Sequence, residues 1–165
     1  MKLSRTAYII ILIIINIAID QITKVLVRGS ITFREEIQLI GDAFILTNVE
    51  NTGAFLGMGS DLSPMMRILL LLLLPVIVLG LVTFYIFKEK HMDRWTLTAF
   101  TFIIGGGIAN VFDRFVYGSV TDFLHLDFGG VFRTGIFNIA DVSVTTGMIM
   151  LLVGSFLNRK KKPIN

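Results

Sequence analysis

The sequence predicts a mainly α, polytopic membrane protein with four transmembrane helices and a small extracytoplasmic β-sheet between helices 1 and 2. Three observations carry that prediction. The 165-residue chain is 54% hydrophobic and only 16% charged, and its mean hydropathy of +0.78 is too high for a soluble domain. Four stretches are long and apolar enough to cross a bilayer, which takes about 20 residues. The basic residues gather at the chain ends and in one short link, a pattern that speaks to membrane orientation rather than to nucleic acid. One integral membrane domain over residues 1–165 is expected. With no cysteine in the chain, it can offer neither a disulfide framework nor a thiol nucleophile nor a thiolate metal site.

The first span, about 7–27, contains Asp20 and Lys24. Lys2 and Arg5 before an apolar run also fit a signal peptide, but Asp20-Gln21-Ile22-Thr23-Lys24 stands where a small-residue cleavage site belongs. The outer segment that follows, about 28–64, sets Gly29, Gly41, Gly53, Gly57 and Gly59 between short runs such as Ala43-Phe44-Ile45-Leu46. It reads as a small sheet at the membrane surface. The second span, about 65–87, is an almost unbroken Leu, Ile and Val run around Pro75, where neighbouring helices tolerate a kink. The third, about 95–112, carries Gly105-Gly106-Gly107. Without a preceding strand or a following Lys-Ser/Thr pair, these glycines indicate close helix packing rather than a phosphate loop. A second outer segment, about 113–138, leads to the fourth span, about 139–157.

Orientation follows from the basic clusters: Lys2 and Arg5, then Lys88, Lys90 and Arg94, then Arg159 to Lys162. All belong on the cytoplasmic side, which places both termini inside and both long connecting segments outside. Arg28, Arg34, Arg114 and Arg133 lie on the outer side and weaken this bias without reversing it.

That topology brings polar residues together. The first and third spans run outward and end near Asp20 and near Asn110 and Asp113, while the fourth starts inward at Asn138 and Asp141. Asn51 and Asp122 lie in the outer segments. Asp20 sits about eight residues before the end of its span, roughly 12 Å deep at 1.5 Å per residue. Polar groups converging in an apolar bundle are the signature of a site. Plainer explanations stand beside this one. Asn138 and Asp141 have the spacing of a helix N-cap and its third residue, and Asp20 and Lys24 have that of an i,i+4 ion pair. Asp113 and Arg114, being adjacent on a helix, point apart and each needs its own partner. Asn110 suits an interhelical hydrogen bond. Asp122, in Val120-Thr121-Asp122-Phe123-Leu124, is an acid flanked by apolar residues and the hardest to dismiss as a solvated charge. His91 and His125 are too isolated to form a zinc motif.

Five blocks recur together: Asp20-Gln21-Ile22-Thr23-Lys24, Asn51-Thr52-Gly53-Ala54-Phe55, Gly105 through Arg114, Val120-Thr121-Asp122-Phe123, and Phe137-Asn138-Ile139-Ala140-Asp141. In their order and topological places the chain resembles bacterial lipoprotein signal peptidase, signal peptidase II. Ala109 departs from the Gly usual before the Asn of that family's third block, a difference that touches helix packing and leaves the acids alone.

The resemblance implies an intramembrane aspartic endopeptidase that removes the signal peptide of diacylglyceryl-modified prolipoproteins on the N-terminal side of the lipidated cysteine. It implies catalytic roles for Asp122 and Asp141, and supporting or substrate-binding roles for Asp20, Lys24, Asn51, Gly53, Asn110, Asp113, Arg114 and Asn138. The expected setting is the bacterial inner or plasma membrane, with the active site near the extracytoplasmic face. The expected partners are prolipoprotein substrates and membrane lipids, not nucleic acid; the expected state is a monomer, without metal or organic cofactor. Two neighbouring carboxyls in a low-dielectric site should share a proton, one acting as base and one as acid. A transporter would usually bury its acids at the midplane, often with internal repeats. A scaffold would not explain the gathering of acids and amides.

Overall fold

The computed structural model describes residues 3–54 and 57–159. Lys2, Phe55 and the run Lys160 to Lys162 lie outside the described residues. Four helices long and apolar enough to cross a membrane are present: α1 (Arg5–Ser30), α2 (Pro64–Lys88), α3 (Arg94–Tyr117) and α4 (Ile139–Arg159). Each starts where a polar side chain satisfies a free backbone N–H of the first turn. Ser4, Ser63, Asp93 and Asn138 accept from Ala7, Met66, Thr96 and Asp141 respectively. Gly118, left-handed at φ 75° and donating to the Arg114 carbonyl, ends α3.

Helix α3 is the hub, packed against α1, α2 and α4. Its consecutive glycines explain how. A Cβ on Gly105 would meet Asn16 of α1 at 2.6 Å, one on Gly107 would meet Leu79 of α2 at 2.7 Å, and one on Gly106 would run into the Ala140 carbonyl oxygen of α4. Three successive residues thus let one helix touch three others at backbone distance, as small residues do in membranes. Ala109 is fully buried on the same helix. In α2 the backbone widens into a π-turn over Ile68–Leu73, just before Pro75. Proline has no N–H to give and its ring crowds the carbonyl four residues earlier, so the helix accommodates it by this local widening. Apolar residues of α2 such as Leu73, Ile77, Leu81 and Phe84 face outward, the surface that lipid covers.

The sheet has three antiparallel strands in the order β1 (Glu36–Ile40), β2 (Phe44–Asn51), β3 (Val120–Leu126). It departs from the expectation in one respect: the third strand comes from the second outer segment, not from the link between helices 1 and 2. Gly118 turns the chain back at the end of α3, and Val49 then faces Asp122 while Asn51 faces Val120. Helix α3 runs on to Tyr117, so Asp113 and Arg114 are helical. Two apolar clusters bracket the polar residues. Ile9, Ile86, Leu97 and Ile104 fill one end of the bundle. Val27, Ile31 and Phe123, with Leu46, Leu124 and Ile139, pack the sheet onto the other.

Candidate active site

Between those clusters lies a continuous polar network. At its base is Lys24, wholly buried, whose ammonium lies 2.8 Å from Asp20 Oδ2 and 2.7 Å from Asp113 Oδ2 as ion pairs and donates to Asn110 Oδ1 at 2.9 Å. A buried ammonium is tolerated only with such complete pairing. Asp20 turns its other oxygen to the Ala140 N–H, 2.8 Å away at the start of α4. Gln21 bridges the two acids, donating to Asp113 Oδ1 at 2.9 Å and Asp20 Oδ2 at 3.2 Å. This ion cluster therefore ties α1, α3 and α4 together.

Asp122 and Asp141 sit above it. Asp122 comes from β3, and Asp141 from the first turn of α4. Reciprocal hydrogen bonds between Phe137 and Leu124 draw the two elements together, pinning the entry to α4 beside the strand. All four carboxyl oxygens accept one N–H each. Asn51 Nδ2 gives to Asp122 Oδ2 at 2.9 Å and Asn138 Nδ2 to Asp122 Oδ1 at 2.6 Å. Asn110 Nδ2 gives to Asp141 Oδ1 at 2.9 Å and the Asn138 backbone N–H to Asp141 Oδ2 at 3.1 Å. Asn138 Nδ2 also reaches Asn110 Oδ1, 3.2 Å away, so two amides join the acids. Burial pushes the Asp122 carboxyl up to about 7, with the nearby Asp141 charge adding to the rise and the Asn51 and Asn138 hydrogen bonds opposing it.

Asn138 and Asp141 also form a reciprocal capping box, each bonded to the other's backbone N–H. The capping geometry and the site geometry are both present in the same residues. Asp113 and Arg114 diverge, as neighbours on a helix must. Asp113 joins the Lys24 cluster, whereas Arg114 carries no ion pair among the described residues. It donates to the Gly53 carbonyl at 2.8 Å, fixing the turn after Asn51. That turn is tight: Asn51 accepts from Gly53 N–H at 2.9 Å, and a Cβ on Gly53 would lie 2.6 Å from the Gly57 carbonyl oxygen.

Each acid lines a cavity of its own. One, of about 430 Å³, opens between α2, α3 and α4, with Pro75, Gly107, Asn110, Asp141 and Met148 in its wall. Another, of about 350 Å³, lies among the sheet and its neighbouring loops and has Asn51, Ser60 and Asp122 in its wall. Asp122 is only 3% exposed, while Asp141 is half-buried.

All ten residues singled out in the sequence thus fall in or directly against one network. Sequence reasoning passed over Gln21 as a bridging group, although it lies inside a quoted block. It also missed Asn16 and Ser143, which hydrogen-bond each other across α1 and α4, and Glu50, which accepts from Thr121 Oγ1 at 2.8 Å and so locks β2 to β3. Lone polar residues on apolar helices leave no spacing pattern to find. His125 stays apart from the acids, held by Arg133 at 3.2 Å. Among the described residues no three His, Cys, Asp or Glu side chains converge as a metal site would require.

Residues 12–157 match the family described as signal peptidase (SPase) II. A lipoprotein signal peptidase of Brevibacillus brevis is 38% identical over 145 residues, covering 88% of this chain and 92% of that protein. One of Clostridium tetani is 33% identical over 144 residues, covering 87% and 89%. A bacterial membrane enzyme solved by the in meso method at 1.9 Å resolution superposes with a TM-score of 0.76 at 26% identity, covering 89% of this chain and 91% of that one. A second such enzyme, at 2.3 Å resolution, gives 0.81 at 24% identity over 96% and 94%, which speaks to the fold alone. On the match across residues 12–157, the chain belongs to the signal peptidase II family.

Proposed function

We propose that Asp122 and Asp141 are the catalytic carboxyls with which this aspartic endopeptidase cleaves diacylglyceryl-modified prolipoproteins on the N-terminal side of the lipidated cysteine. One observation carries the reading. Two acids from separate elements are joined through Asn138 and Asn110, and every carboxyl oxygen is held by a single N–H. Each oxygen keeps a second lone pair for a water or a shared proton.

Asp122, raised to about 7 by burial, is the member that retains a proton near neutrality. Asp141, half-buried and open to the interhelical cavity, is the base. Asp141 takes a proton from water as its oxygen attacks the scissile carbonyl carbon, while Asp122 gives its proton to the carbonyl oxygen. In the collapse that follows, Asp141 returns its proton to the leaving amine of the cysteine and Asp122 recovers one from the diol. The signal peptide leaves with a new carboxyl group, and both acids regain their starting states. The cavity between α2, α3 and α4 suits an apolar signal helix or acyl chains, and the cavity beside the sheet suits entry of water.

Turnover should follow the protonation of Asp122. Because its acid form is the working one, kcat should fall as pH rises above about 7, approaching tenfold per pH unit well beyond it. A pH–rate profile of the purified protein on a lipidated precursor checks this. An alkaline limb that stays flat to pH 9 would contradict the role given to Asp122.

The proposed setting is a bacterial plasma membrane, with both termini cytoplasmic, the site near the outer face and the protein acting as a monomer. The cluster of Lys88, Lys90 and Arg94 in and beside the link between α2 and α3 supports the orientation. Single cysteines at Ser60 and Val131, both exposed, should react with a membrane-impermeant thiol reagent in intact cells. One at His91, also exposed, should react only after permeabilisation. The opposite pattern would invert the bundle.

A further inference from the structure

The three amides that meet the acids differ in what prevents them from turning over. Asn51 is fixed by the backbone, since its Oδ1 accepts from Gly53 N–H at 2.9 Å and its Nδ2 also gives to the Ala54 carbonyl at 3.1 Å. Asn138 is fixed likewise, its Oδ1 accepting from the Asp141 backbone N–H at 2.9 Å. Asn110 bonds only to side chains. Its Oδ1 accepts from Lys24 Nζ at 2.9 Å and Asn138 Nδ2 at 3.2 Å, and its Nδ2 gives to Asp141 Oδ1 at 2.9 Å.

An amide rotated by half a turn exchanges a donor for an acceptor at nearly the same place. For Asn110 that rotation would aim an NH₂ at the Lys24 ammonium and at the Asn138 NH₂, and aim a carbonyl oxygen at the Asp141 carboxylate. A donor turned toward the wholly buried Lys24 ammonium is strongly unfavourable, because burial weakens the screening of the repulsion. The other charged groups around Lys24 reinforce its place. Asp20 on α1 and Asp113 on α3 lie 2.8 and 2.7 Å from the ammonium and hold the charge in place beside Asn110 Oδ1. Arg114 on the same helix faces the Gly53 carbonyl instead, and Asp122 on β3 takes its N–H bonds from Asn51 and Asn138.

We propose that Lys24 is a positioning residue for the reaction: it bonds to neither Asp122 nor Asp141, but it locks the Asn110 amide with its N–H toward Asp141 and so holds the base in its working orientation. The inference rests on the assignment of Asp122 and Asp141 above. It gives Lys24 a role distinct from neutralising Asp20 and Asp113. The charge on Lys24 also polarises the amide, strengthening the N–H that reaches Asp141.

The test is kinetic, on purified protein with a diacylglyceryl-modified precursor. Lys24→Met keeps the length of the stem and removes the donor. Its kcat should fall about 10- to 100-fold, as loss of an outer-sphere partner does, with KM within about twofold of the original because no substrate contact is lost. Asn110→Ala should give a similar fall. The double variant should be no slower than Asn110→Ala alone, since one change already breaks the link that the other needs. Lys24→Met leaves two buried carboxyls without a cation, so the neutral triple variant Asp20→Asn/Lys24→Met/Asp113→Asn supplies the same comparison if the single variant does not fold. Full kcat in either folded variant, a change confined to KM, or multiplicative losses in the double variant would each overturn the lock. If Asp141→Asn still turns over, the catalytic assignment itself fails. If Asp141→Asn is inactive while Lys24→Met is fully active, only the lock fails.

Discussion

Asp122→Asn and Asp141→Asn should each lower kcat by about 1,000-fold or more, the scale of a lost general acid or base, while leaving the protein folded. Asn preserves size and one acceptor oxygen at both positions but cannot carry a proton through the cycle. The expectation for stability is different at the two sites. At position 141 an Asn oxygen can still accept the Asn138 backbone N–H and keep the capping box partly closed; its NH₂ then faces the Asn110 N–H, but at a half-buried position open to the interhelical cavity, so a loss of about 1 kcal/mol is expected. At position 122 an amide NH₂ must face one of two fixed donors, Asn51 or Asn138, and an unrelieved buried polar contact costs about 1–3 kcal/mol. Turnover measured beside thermal unfolding in detergent separates the two effects. A soluble, well-folded variant with near-normal kcat would remove that acid from the mechanism.

Gly106→Val carries the second large effect, and it contains no acid at all. A Cβ at position 106 runs into the Ala140 carbonyl oxygen and comes within 3.0 Å of Val144 Cγ2. The carbonyl is backbone and cannot rotate aside, so the start of α4 must move. Ala140 is the residue before Asp141, and its N–H is the one held by Asp20. A displacement near 1 Å at a reacting group costs about 100-fold in rate, and overpacking costs about 1–3 kcal/mol in stability. Gly29→Ala is the matching control, since a Cβ there meets nothing within 4 Å. It should leave both kcat and the unfolding temperature unchanged. Equal activity in the Gly106 and Gly29 variants would mean that α3 does not set the position of α4.

The particular residues show which parts of this molecule are legible in one dimension. Spans, caps and glycine contacts are local or periodic, and each leaves a mark in composition: long apolar runs, Ser63 before Pro64, Asn138 before Ile139. The convergence of Asp20, Asn110, Asp113, Asn138 and Asp141 follows from topology alone, because spans of alternating direction bring these ends to one level. Strand β3 was not legible. Its seven residues alternate weakly, and its partner β2 lies about 70 positions earlier, as the bond between Asn51 and Asp122 shows. No periodicity names a distant partner. The same limit hid the bond from Lys24 to Asp113, since the i,i+4 spacing revealed only the half of the cluster that Asp20 supplies. The full length of α3 is not legible either, because Asp113 and Arg114 look like the polar edge of a span. In three dimensions Asp113 is paired and fully buried, and the helix continues another turn to Gly118.

The most direct test of the central claim is the product formed by the purified protein from a precursor carrying diacylglycerol on its cysteine. Mass spectrometry should find a fragment that begins with the lipidated cysteine and a complementary signal peptide with a free carboxyl terminus. The Asp122→Asn/Asp141→Asn double variant, folded and at equal concentration, should give neither. Fragments appearing at the same rate with both acids replaced would contradict the account, because the cleavage would then belong to some other group in the chain.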